Sequence, residues 1–218
     1  MDVLIIGDGP YARSVIDLIH QVGTHNVIGT VPVETHATSV MEITVVGHLD
    51  RFEDVLVRMD ARQVLVAIED VGTRMNVTQR IARMVPEMEF VSVVHPSAVL
   101  GSAVSVGSGT VIMAGTHIDA GTTIGDHNLI AANACIGAES VLGNFVSIGP
   151  GASLGHGCHV GSGSAIGSNA ALVNKIIIGT HCVVGPCAAV IENVPDLHVA
   201  VGTPARTTRT RLVGERYP

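Results

Sequence analysis

From Leu100 to Val190 every sixth residue is aliphatic: Leu100, Val106, Ile112, Ile118, Ile124, Ile130, Ile136, Leu142, Ile148, Leu154, Val160, Ile166, Leu172, Ile178, Val184 and Val190. The next residue is Gly at 11 of these 16 positions. Two places before each aliphatic the side chain is mostly small, as at Ala98, Thr110, Ser140, Cys158 and Ala188, with Val104, Val146 and Ile176 as larger exceptions. A period of six fits neither the 3.6-residue helix nor the alternation of an isolated hairpin. It fits a parallel β-solenoid in which each hexad is a short strand plus a turn. The aliphatics then point inward and stack on copies about 4.8 Å away in neighbouring coils. Glycine supplies turn conformations that side chains disfavour.

Residues before about 92 follow a different pattern. Asp2-Val-Leu-Ile-Ile6 and Gln63-Val-Leu-Val-Ala-Ile68 are short apolar runs, and Val27-Ile28 predicts a further strand. Helical spacing is predicted over Tyr11–Ile19, Arg51–Met59 and Met75–Met84. Strands alternating with helices imply a layered α/β sheet. The turn after the first strand holds Gly7 and Gly9, but Ala12 stands where a dinucleotide fingerprint has its third Gly. What remains is a strand-turn-helix whose exposed N–H groups suit an anion. The expected organisation is a Rossmann-like α/β domain over 1–92, a parallel β-helix over 93–195 and a C-terminal tail over 196–218.

Composition narrows the alternatives. The chain has 218 residues, of which 47% are hydrophobic but only 2% aromatic, with 25 Gly. A helical bundle does not tolerate that much glycine, at about 1 kcal/mol per helical position. No run of 18 apolar residues appears, so a membrane span is not expected, and the apolar content excludes disorder. The formal charge of −7 and the scarcity of rings argue against nucleic acid as a partner. Cys135, Cys158, Cys182 and Cys187 form no CxxC pair, and MDVLIIG is no signal peptide. They are expected to be four reduced, small core residues of a cytoplasmic protein.

With these motifs in hand the chain resembles a known family. The segment from about His95 to Arg206 looks like the hexapeptide-repeat acyltransferases, including the closing Val190-Ile-Glu-Asn-Val-Pro195 and Val201-Gly-Thr-Pro-Ala-Arg206. Gly7-Asp-Gly-Pro-Tyr-Ala-Arg13, Gly47-His-Leu-Asp50, Arg74 and His95-Pro-Ser-Ala98 extend the match to the sialic acid O-acetyltransferase / UDP-amino-sugar N-acetyltransferase family. The resemblance implies a left-handed β-helix, a handedness that periodicity does not give. It also implies an N-terminal domain that holds an acceptor sugar, often as a nucleotide sugar, around Gly9, Pro10, Tyr11 and Gly47. Acetyl-CoA would lie in the groove between solenoids of a homotrimer, with Ser147, Ser168 and Pro186 lining its channel and Arg206 near its phosphates.

At the catalytic centre the sequence departs from that family. Acyl transfer needs a base for the acceptor proton and donors for the developing oxyanion. The family places a His followed by an acidic residue, and a second His nine positions on, where this chain has Ala138, Glu139 and Ser147. One coil after Ala138 in the same column stands His156. Either His156 replaces the lost base, or Glu139 acts as one if burial raises its pKa, or catalysis has been abandoned. His156 reads equally as a polar corner residue with no reactive role. Tyr11 stands where the family's N-terminal turn has a His, and Pro32 where relatives carry an acidic residue that reads the nucleotide.

No metal is expected: His127 and His181 share a column but lie three coils apart, and His156 and His159 point differently. His95 is expected to be structural, at the domain junction. The leading expectation is an acyl-CoA-dependent N- or O-acetyltransferase acting on a sugar or related small metabolite. The alternative is a catalytically silent family member that binds a small ligand. A nucleotidyltransferase has no motif to support it.

Overall fold

The computed structural model describes residues 1–33 and 39–216. Strand β1 (Asp2–Ile6), helix α1 (Pro10–Val22) and strand β2 (Asn26–Val31) open the chain. A parallel sheet follows in the order Asn26–Val31, Asp2–Ile6, Gln63–Val66, Glu89–Phe90. Val3 and Ile5 of β1 pack on Val15, Ile16 and Ile19 of α1. The intervening Leu4 and Ile6 pack on Phe52 and Val55 of α2 (Phe52–Met59) and on Val77 and Ile81 of α3 (Val71–Met84). With helices on both faces, the central strands are buried on both sides, which is why they read as unbroken apolar runs.

Helix α1 starts with Pro10 at its first position and stops at Gly23, whose φ of 70° is left-handed. Helix α3 begins four residues before its expected start at Met75, because the Asp70 carboxylate accepts from the Thr73 backbone nitrogen at 2.8 Å. That cap compensates for a first turn that contains Gly72.

The solenoid begins at Val93–Val94, just after Phe90 ends the first sheet. It is a left-handed β-helix with three parallel sheets as its faces. One face stacks Val111, Leu129, Ser147, Ala165 and Val183. A second stacks His117, Cys135, Ser153, Ala171 and Ala189. A third stacks Thr123, Val141, His159 and Ile177. Every step in these columns is 18 residues. The aliphatics of the hexad pattern from Ile112 to Val190 are at most 4% exposed. Leu100 is 37% exposed and Val106 half-buried, because the first coil has no coil beneath it.

The expected burial of the cysteines holds for Cys158 and Cys182 and is corrected for the other two. Cys135 occupies an outward strand position beside His117, and Cys187 a corner at φ 57°; both are exposed. All four are free thiols. Past Pro195 the chain adds a hairpin to the Ser147 face: His198–Gly202 runs parallel to Val183–Val184, and Ala205–Thr210 folds back on it. No helix among the described residues is long and apolar enough to cross a membrane.

Candidate active site

The two domains share a boundary built around α1. Its apolar stripe, which includes Val15 and Leu18, packs in one cluster with Val93 and Val111 of the first solenoid coils. Beside that seam lies a cleft of about 870 Å³. One wall is α1, through Tyr11, Ser14, Leu18 and Gln21, whose spacing is a single helical stripe. The other wall is the Ser147 face of the solenoid together with the corner that follows it. Its residues recur at one-coil steps, as in Ala114, Ala132, Pro150, Ser168 and Pro186. Five such coils give a trough about 19 Å long, with Arg211 and Glu215 also in its lining.

Arg74 stands behind this cleft and ties the domains together. It is 1% exposed. Its Nε donates to the His127 carbonyl at 3.2 Å, and Nη1 to the carbonyls of Ile68 and Glu69, both at 2.8 Å. Nη2 donates to the Phe145 carbonyl at 3.4 Å and to the Ser147 hydroxyl at 2.8 Å. A guanidinium has five N–H groups, and here each has an acceptor. Burial pulls its pKa down to about 10, against Tyr11, Asp70 and Glu69, so it stays charged at neutral pH.

Next to it, His127 is stacked on Phe145 at 4.9 Å and meets the edge of Phe90 at 4.9 Å. Burial lowers its pKa to about 4, with Arg74 acting in the same direction and Asp126 opposing. A neutral ring is what an aromatic stack beside a buried cation requires.

Tyr11 reaches into the cleft with its hydroxyl buried and without a hydrogen-bond partner. Burial raises its pKa, with Arg74 opposing, so it is a neutral phenol. Such a donor costs about 1–3 kcal/mol unless something arrives to accept from it. Gly9 and Pro10 lie exposed at the N-terminus of α1, next to Tyr11 but outside the cleft lining. Gly47 is elsewhere: a Cβ there would lie 2.4 Å from Val55 of α2, so its need is packing.

The cleft therefore brings together Tyr11, Ser147, Ser168 and Pro186. It does not include Arg206, which is exposed on the C-terminal hairpin and 4.0 Å from Glu192. Arg211 of the same basic segment lines the cleft instead. Asp17, Glu69, Asp70 and Met113 also line it and were not identified from the sequence. His95 joins the walls: its Nδ1 accepts from the Ser97 backbone nitrogen at 3.0 Å, which leaves Nε2 to donate to Gln21 of α1 at 2.8 Å.

Glu139 and His156 lie on another side of the prism, at the corner between the Cys135 face and the His159 face. Both are exposed. The His156 Nδ1 accepts from the Ala138 backbone nitrogen at 3.1 Å, and the His156 nitrogen donates to Asn174 at 3.0 Å. A neighbouring corner has the same ladder, where Asp126 N donates to Asn144 and Asn144 N to Ser162. With Nδ1 accepting, the neutral ring carries its proton on Nε2. In a three-sided prism this corner faces away from the Ser147 face. One chain by itself does not put His156 into its own cleft.

Among the described residues no three His, Cys, Asp or Glu side chains converge as a metal site would need.

Two family models match the chain: the PglD N-terminal domain over residues 2–81, and the bacterial transferase hexapeptide (six repeats) over 103–138 and 139–174. Among solved structures it is similar to a histidine-to-asparagine mutant of perosamine N-acetyltransferase from Caulobacter crescentus, in complex with CoA and GDP-perosamine. The identity is 30%, over 96% of this chain and 97% of that one, with a TM-score of 0.89. The fold is also that of the acetyltransferase domain of PglB from Neisseria gonorrhoeae in complex with acetyl coenzyme A, at 24% identity, 95% and 98% coverage and a TM-score of 0.84. WeeI from Acinetobacter baumannii shares it at 21% identity, 95% and 100% coverage and a TM-score of 0.85. No curated protein matched in a search by sequence.

Proposed function

This chain belongs to the hexapeptide-repeat acyltransferases that carry a PglD-type N-terminal domain, and we propose that it moves an acetyl group from acetyl-CoA to an amino sugar held as a nucleotide sugar. The observation that carries this reading is the cleft shared by α1 and five solenoid coils. Its place in the fold is supported by near full-length similarity to an enzyme crystallised with CoA and GDP-perosamine. Acetyl-CoA would extend along the solenoid wall past Ser147, Ser168 and Pro186. The acceptor would sit at the α1 end against Tyr11 and the N-terminal turn of Gly9 and Pro10. Carboxylates of Asp17, Glu69 and Asp70 along that wall favour an acceptor bearing an ammonium group over a plain hydroxyl. Pro32 is buried at the end of β2, so the base or ribose of the nucleotide loses the acidic contact relatives offer and a standard UDP-sugar is not the expected form.

The proton acceptor is proposed to come from the Glu139–His156 corner of a second copy, which makes a homotrimer the working assembly in the cytoplasm. For His156 to act through Nε2, its bond to Ala138 must break so that the proton resides on Nδ1. That same bond favours the second reading, a binding protein without turnover.

Release of CoA thiol in the presence of amino-sugar nucleotides, hydroxylated sugars and sialic acids decides between them. Turnover above the acceptor-free rate is expected with an amino sugar. CoA binding with no turnover on any acceptor overturns the transferase reading. Ala138→His then tells whether only the base was missing, since a gain of turnover would mean the rest of the site is intact.

A further inference from the structure

The Arg74–Ser147 bond has a chemical consequence. The Ser147 Oγ accepts from Arg74 Nη2 at 2.8 Å. A hydroxyl has one proton, and Ser147 lies in the cleft lining. Among the described residues no acceptor takes its proton; the bond from Arg74 is its only side-chain hydrogen bond. Arg74 cannot turn toward a ligand, because its other four N–H groups are held by the carbonyls of Ile68, Glu69, His127 and Phe145. It acts on the cleft only through Ser147. A hydroxyl that accepts from a buried cation is a stronger donor, since donating to an anion is charge-assisted and the low dielectric amplifies it.

Resting on the acetyl-CoA reading above, we infer that the Ser147 hydroxyl is the oxyanion donor of the transfer, with Arg74 as the positioning residue that fixes its oxygen and turns its proton into the cleft. The acceptor nitrogen attacks the thioester carbonyl carbon, and the carbonyl π electrons move to oxygen as the tetrahedral intermediate forms. Ser147 donates to that oxygen, whose charge grows in the transition state. Collapse restores the carbonyl and expels the CoA sulfur with the C–S bonding pair; the proton lost by the acceptor ends on the CoA thiol.

The test is made on the full chain with acetyl-CoA carrying ¹³C at the thioester carbonyl. On wild type the carbonyl resonance should move downfield on binding, and Ser147→Ala should remove most of that shift at acetyl-CoA concentrations that saturate each protein. In turnover Ser147→Ala should lower kcat about 100-fold with little change in KM for acetyl-CoA, and Ser147→Thr, which keeps a hydroxyl, should recover most of the loss. Arg74→Lys, where it folds, should weaken the carbonyl shift although Ser147 is present. A carbonyl shift in Ser147→Ala equal to wild type, or a kcat within threefold of it, overturns the assignment. Failure of wild type to bind acetyl-CoA overturns the acyltransferase reading and this inference with it. A Ser147-dependent shift with no acceptor acetylated leaves Ser147 as a donor to the bound thioester carbonyl and overturns its oxyanion role together with the proposed transfer.

Discussion

His156 and Ala138 are joined across one coil: the imidazole Nδ1 accepts the Ala138 backbone N–H at 3.1 Å. Asn144 makes the same contact to Asp126 at a neighbouring corner with a side-chain oxygen at 2.8 Å. An asparagine at position 156 can therefore keep the ladder without supplying a base. His156→Asn is expected to keep the thermal midpoint within about 2 °C of wild type while cutting turnover at least 100-fold. His156→Ala should lose both, with stability falling about 1 kcal/mol. Thermal unfolding and thiol release on the same samples check this, and full activity in His156→Asn would remove His156 from the mechanism.

Arg74→Met leaves four main-chain carbonyls and the Ser147 hydroxyl without their donor. Buried neutral acceptors left unpaired cost about 1 kcal/mol or more each, so a loss of about 3–5 kcal/mol is expected. Urea denaturation should show the midpoint falling by that equivalent. A loss under 1 kcal/mol would mean that the three bonds to the solenoid, at His127, Phe145 and Ser147, do not hold the domains together.

The depressed pKa of His127 makes stability depend on pH. The unfolded ring titrates near its ordinary 6.5 and the folded one near 4. Between those values the unfolded chain binds a proton that the folded chain refuses. The stabilisation is thus fully present above pH 6.5 and is lost as the pH falls toward 4, by about 2 kcal/mol. His127→Asn tolerates the left-handed φ of 57° at this corner and removes the titration. Urea titrations at pH 7.5 and 4.5 should show a larger acid loss in wild type than in the variant. Equal losses would place the ring in contact with water.

A Cβ on Gly137 would lie 2.7 Å from the backbone of Gly155 and His156 in the next coil. Real carbon atoms do not approach that closely, and both neighbours are main chain, so the coils must part. Gly137→Ala should destabilise by about 2 kcal/mol or more, read as a lower urea midpoint. A neutral result would show that the coil spacing is adjustable there.

The solenoid was legible in the sequence because its contacts repeat: the aliphatic of each rung meets its equivalent 18 residues away, so one local rule fixes strand, turn and register together. The N-terminal sheet was legible as apolar runs, but the start of α3 was not, since its first turn reads Val-Gly-Thr and only the Asp70 cap marks it. Cys135 directly precedes the inward Ile136, so strand alternation turns it outward, and only its residue type suggested burial.

The site divides along the same line. Ser147, Ser168 and Pro186 were found by their place in the repeat, and Tyr11 by its turn. Arg211 displaced Arg206 because the returning strand of the hairpin separates them, with Arg206 at its turn end and Arg211 just past its other end. The tie between Arg74 and Ser147 spans 73 residues and two domains, and no periodicity encodes it.

The amino-acid order alone determined the stacked coils and the alternation of strand and helix before them, since both are set by which side chains repeat at which interval. Only the tertiary structure decided which face of the prism meets α1, which hydroxyl a buried guanidinium turns outward, and that His156 stands at a corner remote from the cleft. Those outcomes depend on how two separately patterned domains dock, and docking is governed by shape and by the saturation of buried donors across long separations in sequence.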